Sequence, residues 1–217
     1  MISAVIPTLN SQACLPRCFE SLLGAAMSGL VREVIVADGG SSDDTLFIAD
    51  AAGARIIEAP KARGARLARG AEIAKSDWLL FLHPETALEA RWDEEVISFV
   101  GKSTPERPRA AAFRLGLDDF GSKARRREAA VGLRCALLGL AHGDQGLLIP
   151  TRFYRKLGGY RPLETTEDVD LVRRIGRNRL VMLRSRAVMS AAPDGEAAHR
   201  VPLLQALRAS LPFLARS

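Results

Sequence analysis

The first 82 residues alternate short apolar or β-branched runs, at 2–6, 33–37, 54–58 and 78–82, with stretches whose apolar residues recur at helical spacing. This rhythm constrains the fold more than any other feature, because strand and helix in strict alternation give parallel strands joined by crossover helices. Leu15, Phe19, Leu22 and Leu23 mark the first helix. Ser42 or Asp43 can cap a second that runs to about residue 52, with Gly53 suited to its C-terminus, and a third spans roughly 62–74. The run 78–82 is almost wholly apolar, as a strand covered on both faces requires. The expected fold is therefore α/β, a mostly parallel central sheet flanked by helices, with ligands outside the carboxyl ends of the strands.

Beyond His83 the pattern predicts a helix near 91–100, a break at Pro105 and Pro108, a strand at 110–117 and a basic amphipathic helix over 122–140. A short strand at 146–150, a helix at 151–157 ended by Gly158 and Gly159, and a helix at 167–177 follow. A chain of 217 residues fits one hydrophobic core, and it carries no internal repeat and no low-complexity linker. The expectation is one domain over 1–217, with a nucleotide-binding half at 1–100, an acceptor-binding half at 101–200 and an amphipathic tail at 200–217.

A formal net charge of +6 and a pI near 9.7 point to an anionic partner. Nucleotide phosphates, nucleic acid and an acidic membrane surface all satisfy that. The basic residues, among them Arg173, Arg174, Arg184 and Arg186, carry no aromatic interleaving and no nucleic-acid module, which argues against nucleic acid. Cys14, Cys18 and Cys135 are an odd count without a paired metal-binding framework and read as reduced thiols. The N-terminus lacks the features of a signal peptide, and nowhere do 18 apolar residues run unbroken. A cytoplasmic protein is expected. The tail, where Leu203, Leu204, Leu207 and Leu211 mix with Arg200, Arg208 and Arg216, suits either packing on the domain or contact with an anionic membrane.

Three strand ends carry polar, turn-forming residues: Pro7-Thr8-Leu9-Asn10, Asp38-Gly39-Gly40-Ser41 and His83-Pro84-Glu85-Thr86. Along one sheet edge these build a polar crevice, although Asp38-Gly39-Gly40 also reads as a simple turn and helix cap. In this order they resemble the bacterial family 2 glycosyltransferases with the Rossmann-like GT-A fold. That resemblance implies that Asp38 accepts a hydrogen bond from uracil, that Pro7, Thr8 and Asn10 line the base pocket, and that Gly39 and Gly40 let the backbone come close. Lys61, Arg63 and Arg66 stand where cations can meet the phosphates, and Arg suits bidentate contact with them, although the resemblance implies Gln and Asn where Arg66 and Ala68 stand. Where the family has Asp-x-Asp, this chain has His83 and Glu85, similar to a subgroup with a Leu-His-x-acid-Thr motif. A divalent metal, Mn²⁺ or Mg²⁺, held by Glu85 and His83 is thereby implied.

Two later segments, Gly143-Asp144-Gln145-Gly146 and Thr166-Glu167-Asp168-Val169-Asp170-Leu171, resemble further signatures of that subgroup. By that likeness Asp168 is the base that deprotonates the acceptor, Glu167 stands beside it, and Asp144 and Gln145 lie under the acceptor or the sugar. Without the likeness, three acids opening a helix complement its dipole and cap it. The implied activity is inverting, metal-assisted transfer from a nucleotide-diphosphate sugar, of UDP type, to a hydroxyl on a glycan, lipid-linked or small-molecule acceptor. Two alternatives stay open: a sugar-nucleotide or glycan-binding protein of the same fold with little or no turnover, and a nucleotidyltransferase. The second fits less well, because it resembles a Gly-rich basic loop that Pro7-Thr8-Leu9-Asn10 does not supply.

Overall fold

All seven residues of β1 (Ile2–Thr8) are buried, which follows from its central position. Strand β2 (Val31–Asp38) pairs with it in parallel on one side and β4 (Trp78–Phe81) in parallel on the other, while β3 (Arg55–Glu58) extends the sheet beyond β2. The computed structural model describes residues 1–118, 145–163 and 166–189. The chain steps outward from β1 to β2 to β3 and then crosses to the other flank of β1. The switch in direction lies between the carboxyl ends of β1 and β4, the place where open α/β sheets hold ligands.

The second half of the sheet is mixed. The full order is β3-β2-β1-β4-β7-β6-β8-β5, with β5 (Thr86–Leu88), β6 (Ala110–Leu117), β7 (Leu147–Pro150) and β8 (Leu180–Met189). Strand β7 runs antiparallel to both β4 and β6, β8 is parallel to β6, and β5 is antiparallel to β8. Because β7 runs against β4, its amino end lies beside the carboxyl end of β4, with Leu147 opposite Phe81. Gln145 and Gly146, just before β7, thus lie near the end of β4.

Strand alternation sorts the core into two layers. Ile2, Ala4 and Ile6 face α1 (Leu15–Met27), α2 (Thr45–Ala51) and α4 (Trp92–Gly101), together with Leu80, Leu82 and Leu148. Val5, Ile35, Leu79 and Phe81 face α3 (Arg63–Ile73), α5 (Thr151–Lys156) and α6 (Glu167–Ile175). Helix α3 sits close on the sheet: a Cβ on Gly70 would come within 2.4 Å of Val5 Cγ1. Helix α6 stops at Gly176, whose φ of 81° no other residue type adopts easily, two residues short of the sequence expectation.

Neither β5 nor β8 was foreseen from the sequence. Strand β5 is three residues long, and in β8 the exposed Arg184 and Arg186 alternate with buried Leu183 and Ala187, so that a half-buried strand resembles a basic cluster. The expected helix at 122–140, the tail at 200–217, Cys135 and Asp144 lie outside the described residues. Among the described residues no helix is long and apolar enough to cross a membrane.

Candidate functional site

At the carboxyl end of β2, Asp38 is the knot that ties two loops together. Thr8, its register partner on β1, donates from Oγ1 to Asp38 Oδ1 at 2.8 Å, and Ser41 Oγ donates to the same oxygen at 2.5 Å. The backbone N–H groups of Gly40 and Ser41 both reach Oδ2 at 2.8 Å. Burial alone would raise the carboxyl's pKa, but these donors from Ser41, Thr8 and Gly40 outweigh it and hold it below the ordinary aspartate value. The lacing continues outward. Asn10 N–H donates to Ser41 Oγ (2.9 Å), Ser42 N–H to Asn10 Oδ1 (2.9 Å), Ser11 N–H to Thr45 Oγ1 (2.7 Å) and Gln12 N–H to Asp43 Oδ2 (3.1 Å). Asn10 holds a left-handed φ of 51° to do this. Asn10 and Gly40 are exposed at the mouth, whereas Pro7, Thr8, Asp38 and Gly39 are buried behind them.

Arg66 does not stand in the crevice. Its side chain is 0% exposed and lies under the loop, donating from Nη1 to the Thr8 carbonyl at 2.7 Å; a Cβ on Gly39 would come within 3.2 Å of its Cδ. It braces the loop from beneath, because helical spacing puts Arg66 on the face of α3 that meets the sheet. Lys61 is exposed just before α3.

The acidic motif comes to the same region from the other half of the chain. Gly64 lets the N-terminus of α3 touch the loop before α6: its N–H donates to Leu163 O at 3.1 Å, and a Cβ there would fall 2.1 Å from Arg161 O. The contact brings Arg63 onto Glu167, with Nε donating to Oε1, and within 3.6 Å of Asp168 Oδ2. Glu167 is 0% exposed and Asp168 4%. Burial, and then the neighbouring Asp168 charge, push the Glu167 carboxyl up to about 7 despite Arg63. Asp168 Oδ1 accepts a 2.9 Å hydrogen bond from the Tyr160 hydroxyl, and Oδ2 lies 3.8 Å from His83 Nε2. Burial and the Asp168 charge hold the Tyr160 phenol well above its usual pKa, so it remains a donor.

His83 and Glu85 occupy the turn that follows β4. Leu82 N–H donates to Val5 O (3.1 Å), continuing the ladder, and Thr86 N–H donates to His83 O (3.0 Å), closing the turn. His83 is 6% and Glu85 8% exposed. Nearby Cys14 and Cys18 are free and buried; burial and then the Glu85 charge raise the Cys14 pKa to about 12, so that thiol stays protonated and is a poor ligand. Among the described residues no group of three or more His, Cys, Asp or Glu forms a complete metal cage. The Glu85 carboxylate matches the oxygen-donor chemistry of Mn²⁺ or Mg²⁺, cations that take remaining ligands from phosphate oxygens and water.

Gln145 departs from its expected place under the sugar. It is 1% exposed and donates from Nε2 to Phe113 O at 3.0 Å, bracing β6 against the start of β7. Gly146, at φ 63°, makes the turn possible, since a Cβ would sit 2.9 Å from Leu82 Cδ2. Asp144 lies outside the described residues.

Residues 3–106 match the family described as Glycosyl transferase family 2. The matched stretch contains the Thr8–Asp38 knot and the His83-Pro84-Glu85 turn but stops short of Asp168. A PGL/p-HBAD biosynthesis glycosyltransferase of Mycobacterium bovis is 35% identical over 113 residues, which take in 48% of this chain and 43% of that relative. A glucosyl-3-phosphoglycerate synthase of Mycobacterium tuberculosis is 43% identical over 61 residues, 28% of this chain and 18% of that one. The matched stretches thus span less than half the length of these curated relatives. The solved structure of the M. tuberculosis synthase with Mn²⁺, UDP-glucose and phosphoglyceric acid aligns over 100% of this chain and 79% of its own, with a TM-score of 0.65 at 22% identity. At that identity the likeness establishes the fold, a single α/β domain of the GT-A type.

A small pocket at the carboxyl end of β4 is lined by Leu67, Phe81, His83, Leu147, Tyr160 and Asp168. Asp38 and Glu85 lie outside this lining, further along the same sheet edge. β2 and β4 stand two strand spacings apart, about 10 Å. Two partnerships were not visible in the sequence: Tyr160 with Asp168, and Arg63 with Glu167 and Asp168. The turn Gly158-Gly159 before Tyr160 was the available signal for the first.

Proposed function

We propose that the chain transfers a sugar from a UDP-sugar to a hydroxyl acceptor with inversion, assisted by a divalent cation. The observation that carries this reading is the approach of Asp168 Oδ2 to within 3.8 Å of His83 Nε2 at the switch point of the sheet. An acid from α6 and the turn after β4, 85 positions apart in sequence, meet where an open α/β sheet binds its ligand. The family 2 match and the activities named for the mycobacterial relatives, with Mn²⁺ and UDP-glucose in the solved synthase, support the same chemistry.

In this reading the Thr8–Asn10 and Asp38–Ser41 loops form the base pocket. Asp38 Oδ1 is the atom offered to the imide N–H, because its two partners are hydroxyls that can turn to other acceptors while the backbone donors stay on Oδ2. Lys61 meets the phosphates, and buried Arg66 adds positive potential from beneath. His83 and Glu85 would hold the cation, and its charge would offset that of the departing diphosphate. Asp168 Oδ2 takes the proton of the attacking hydroxyl as its oxygen bonds to the anomeric carbon and the bond to the diphosphate breaks, its electrons leaving with UDP. Glu167, held by Arg63, fixes the start of α6.

Calorimetry with UDP, with and without Mn²⁺, tests the donor half, and UDP release from UDP-glucose by wild type and Asp168→Asn tests the base. Binding strengthened by Mn²⁺ and turnover lost in Asp168→Asn with UDP affinity retained are expected. UDP affinity indifferent to metal, or unimpaired turnover in the variant, overturns the corresponding assignment.

A further inference from the structure

We infer that Tyr160 is a positioning residue for the transfer, locking Asp168 Oδ1 so that Oδ2 is the oxygen presented to the attacking hydroxyl. The inference rests on the reading of Asp168 as the base. A carboxylate turns readily about its Cβ–Cγ bond, since that torsion has a broad, roughly two-fold profile. One fixed donor on one oxygen removes the freedom. The Tyr160 hydroxyl supplies it at 2.9 Å on Oδ1, leaving Oδ2 on the side of His83 Nε2 (3.8 Å) and Arg63 Nη2 (3.6 Å).

Tyr160 can act as a fixed point because it is itself held on several sides. Its ring meets Phe81 edge to face at a centroid distance of 4.9 Å and lies 6.0 Å from the Tyr154 ring. Its N–H donates to the Tyr154 hydroxyl at 2.9 Å. The chain enters through Gly159 at φ 64°, where a Cβ would press within 3.0 Å of the Tyr154 ring. Phe81 ends β4 two residues before His83, so the strand that presents His83 also sets the ring that aims Asp168. Phe81, Tyr160, Asp168 and His83 form a run of contacts that lines the pocket and returns to the end of β4.

Misplacing a reacting group by about 1 Å costs on the order of 10²-fold in rate. Tyr160→Phe keeps the ring packing and removes only the donor. The full chain is assayed with Mn²⁺ and whichever of UDP-glucose, UDP-galactose and UDP-N-acetylglucosamine wild type hydrolyses fastest, water serving as acceptor. The expected result is a kcat lowered roughly 10- to 100-fold in Tyr160→Phe, with KM for the donor and Kd for UDP within about twofold of wild type. In Asp168→Asn the same substitution is expected to lower kcat no further, because Tyr160 acts through that carboxylate. An unchanged kcat in Tyr160→Phe, or losses that multiply in the double variant, overturns the positioning role while leaving the transferase reading in place. Failure of wild type to bind UDP with Mn²⁺ or to hydrolyse any of the three donors removes the transferase reading and this inference with it.

Discussion

Arg63 and Glu167, 104 positions apart, meet as a hydrogen-bonded ion pair between the first residue of α3 and the first residue of α6. The pair is the strut between the donor-side helix and the helix that carries Asp168. Helix α3 packs on β1 through Gly70 and touches the Arg161–Leu163 backbone through Gly64, so the position of Asp168 is set from the parallel half of the sheet.

Breaking that strut from one side should be costly. Arg63→Met leaves the Glu167 carboxylate buried without its cation, and removal of one partner of a buried pair costs about 3–5 kcal/mol. Replacing both, Arg63→Met with Glu167→Met, leaves no orphaned charge and should restore most of the loss. Urea denaturation at pH 8 measures both. A double variant as unstable as Arg63→Met would show that the arginine contributes through packing and not through its charge.

Glu167 also gives stability a pH dependence of defined sign. Its folded-state pKa, raised to about 7, exceeds the ordinary value of 4.5, so the folded state binds this proton more tightly than the unfolded chain does. The associated stability is fully present below about 4.5 and is lost as pH rises through about 7. Wild type should therefore lose stability relative to Glu167→Gln between about pH 5 and pH 8, by a total on the order of 2–3 kcal/mol. Denaturation midpoints of the two proteins across that range test it; a constant difference contradicts the proposed titration.

The parallel half of the fold was legible because buried strands and crossover helices leave a periodic apolar record. Ile2–Thr8, Val31–Asp38 and Trp78–Phe81 all fell where apolar runs placed them. The antiparallel half was not, since Thr86–Leu88 is too short to show a period and Arg184 and Arg186 mask the alternation of β8. Motifs located the polar strand ends well, including Asp38 and His83. They do not report that Arg66 and Gln145 are buried against Thr8 O and Phe113 O, because a residue type does not say which side of its element faces the crevice. Tyr160 was not visible as a partner of Asp168 for a related reason: the glycine pair Gly158-Gly159 signals a left-handed turn but not which residue the turn brings Tyr160 against.

Glycines separate close packing from mere flexibility. Gly64→Ala forces a Cβ to within 2.1 Å of a backbone carbonyl, Arg161 O, which cannot swing aside as a side chain would. A loss of about 2–3 kcal/mol is expected, together with reduced turnover as α6 is pushed away. Gly24→Ala in α1 meets nothing within 4 Å and should instead stabilise by about 0.5–1 kcal/mol. Thermal unfolding of the two variants should shift in opposite directions.

Asn10 tests the donor pocket, because two costs can be told apart there. Its φ of 51° is unfavourable for any residue with a Cβ by about 1–2 kcal/mol, and its Oδ1 accepts the Ser42 N–H that closes the mouth of the base loop. Asn10→Gly removes the acceptor but relaxes the backbone, whereas Asn10→Ala removes the acceptor and keeps the strain. Both should weaken UDP binding by a common factor, about three- to tenfold for one hydrogen bond of about 1 kcal/mol. Only Asn10→Ala should lower the melting temperature clearly. If UDP affinity is untouched in both while stability falls in the alanine variant alone, the loop is a structural turn and the base pocket lies elsewhere on the sheet edge. If affinity falls in both and turnover at saturating donor is retained, Asn10 serves donor binding and the chemistry stays with Asp168.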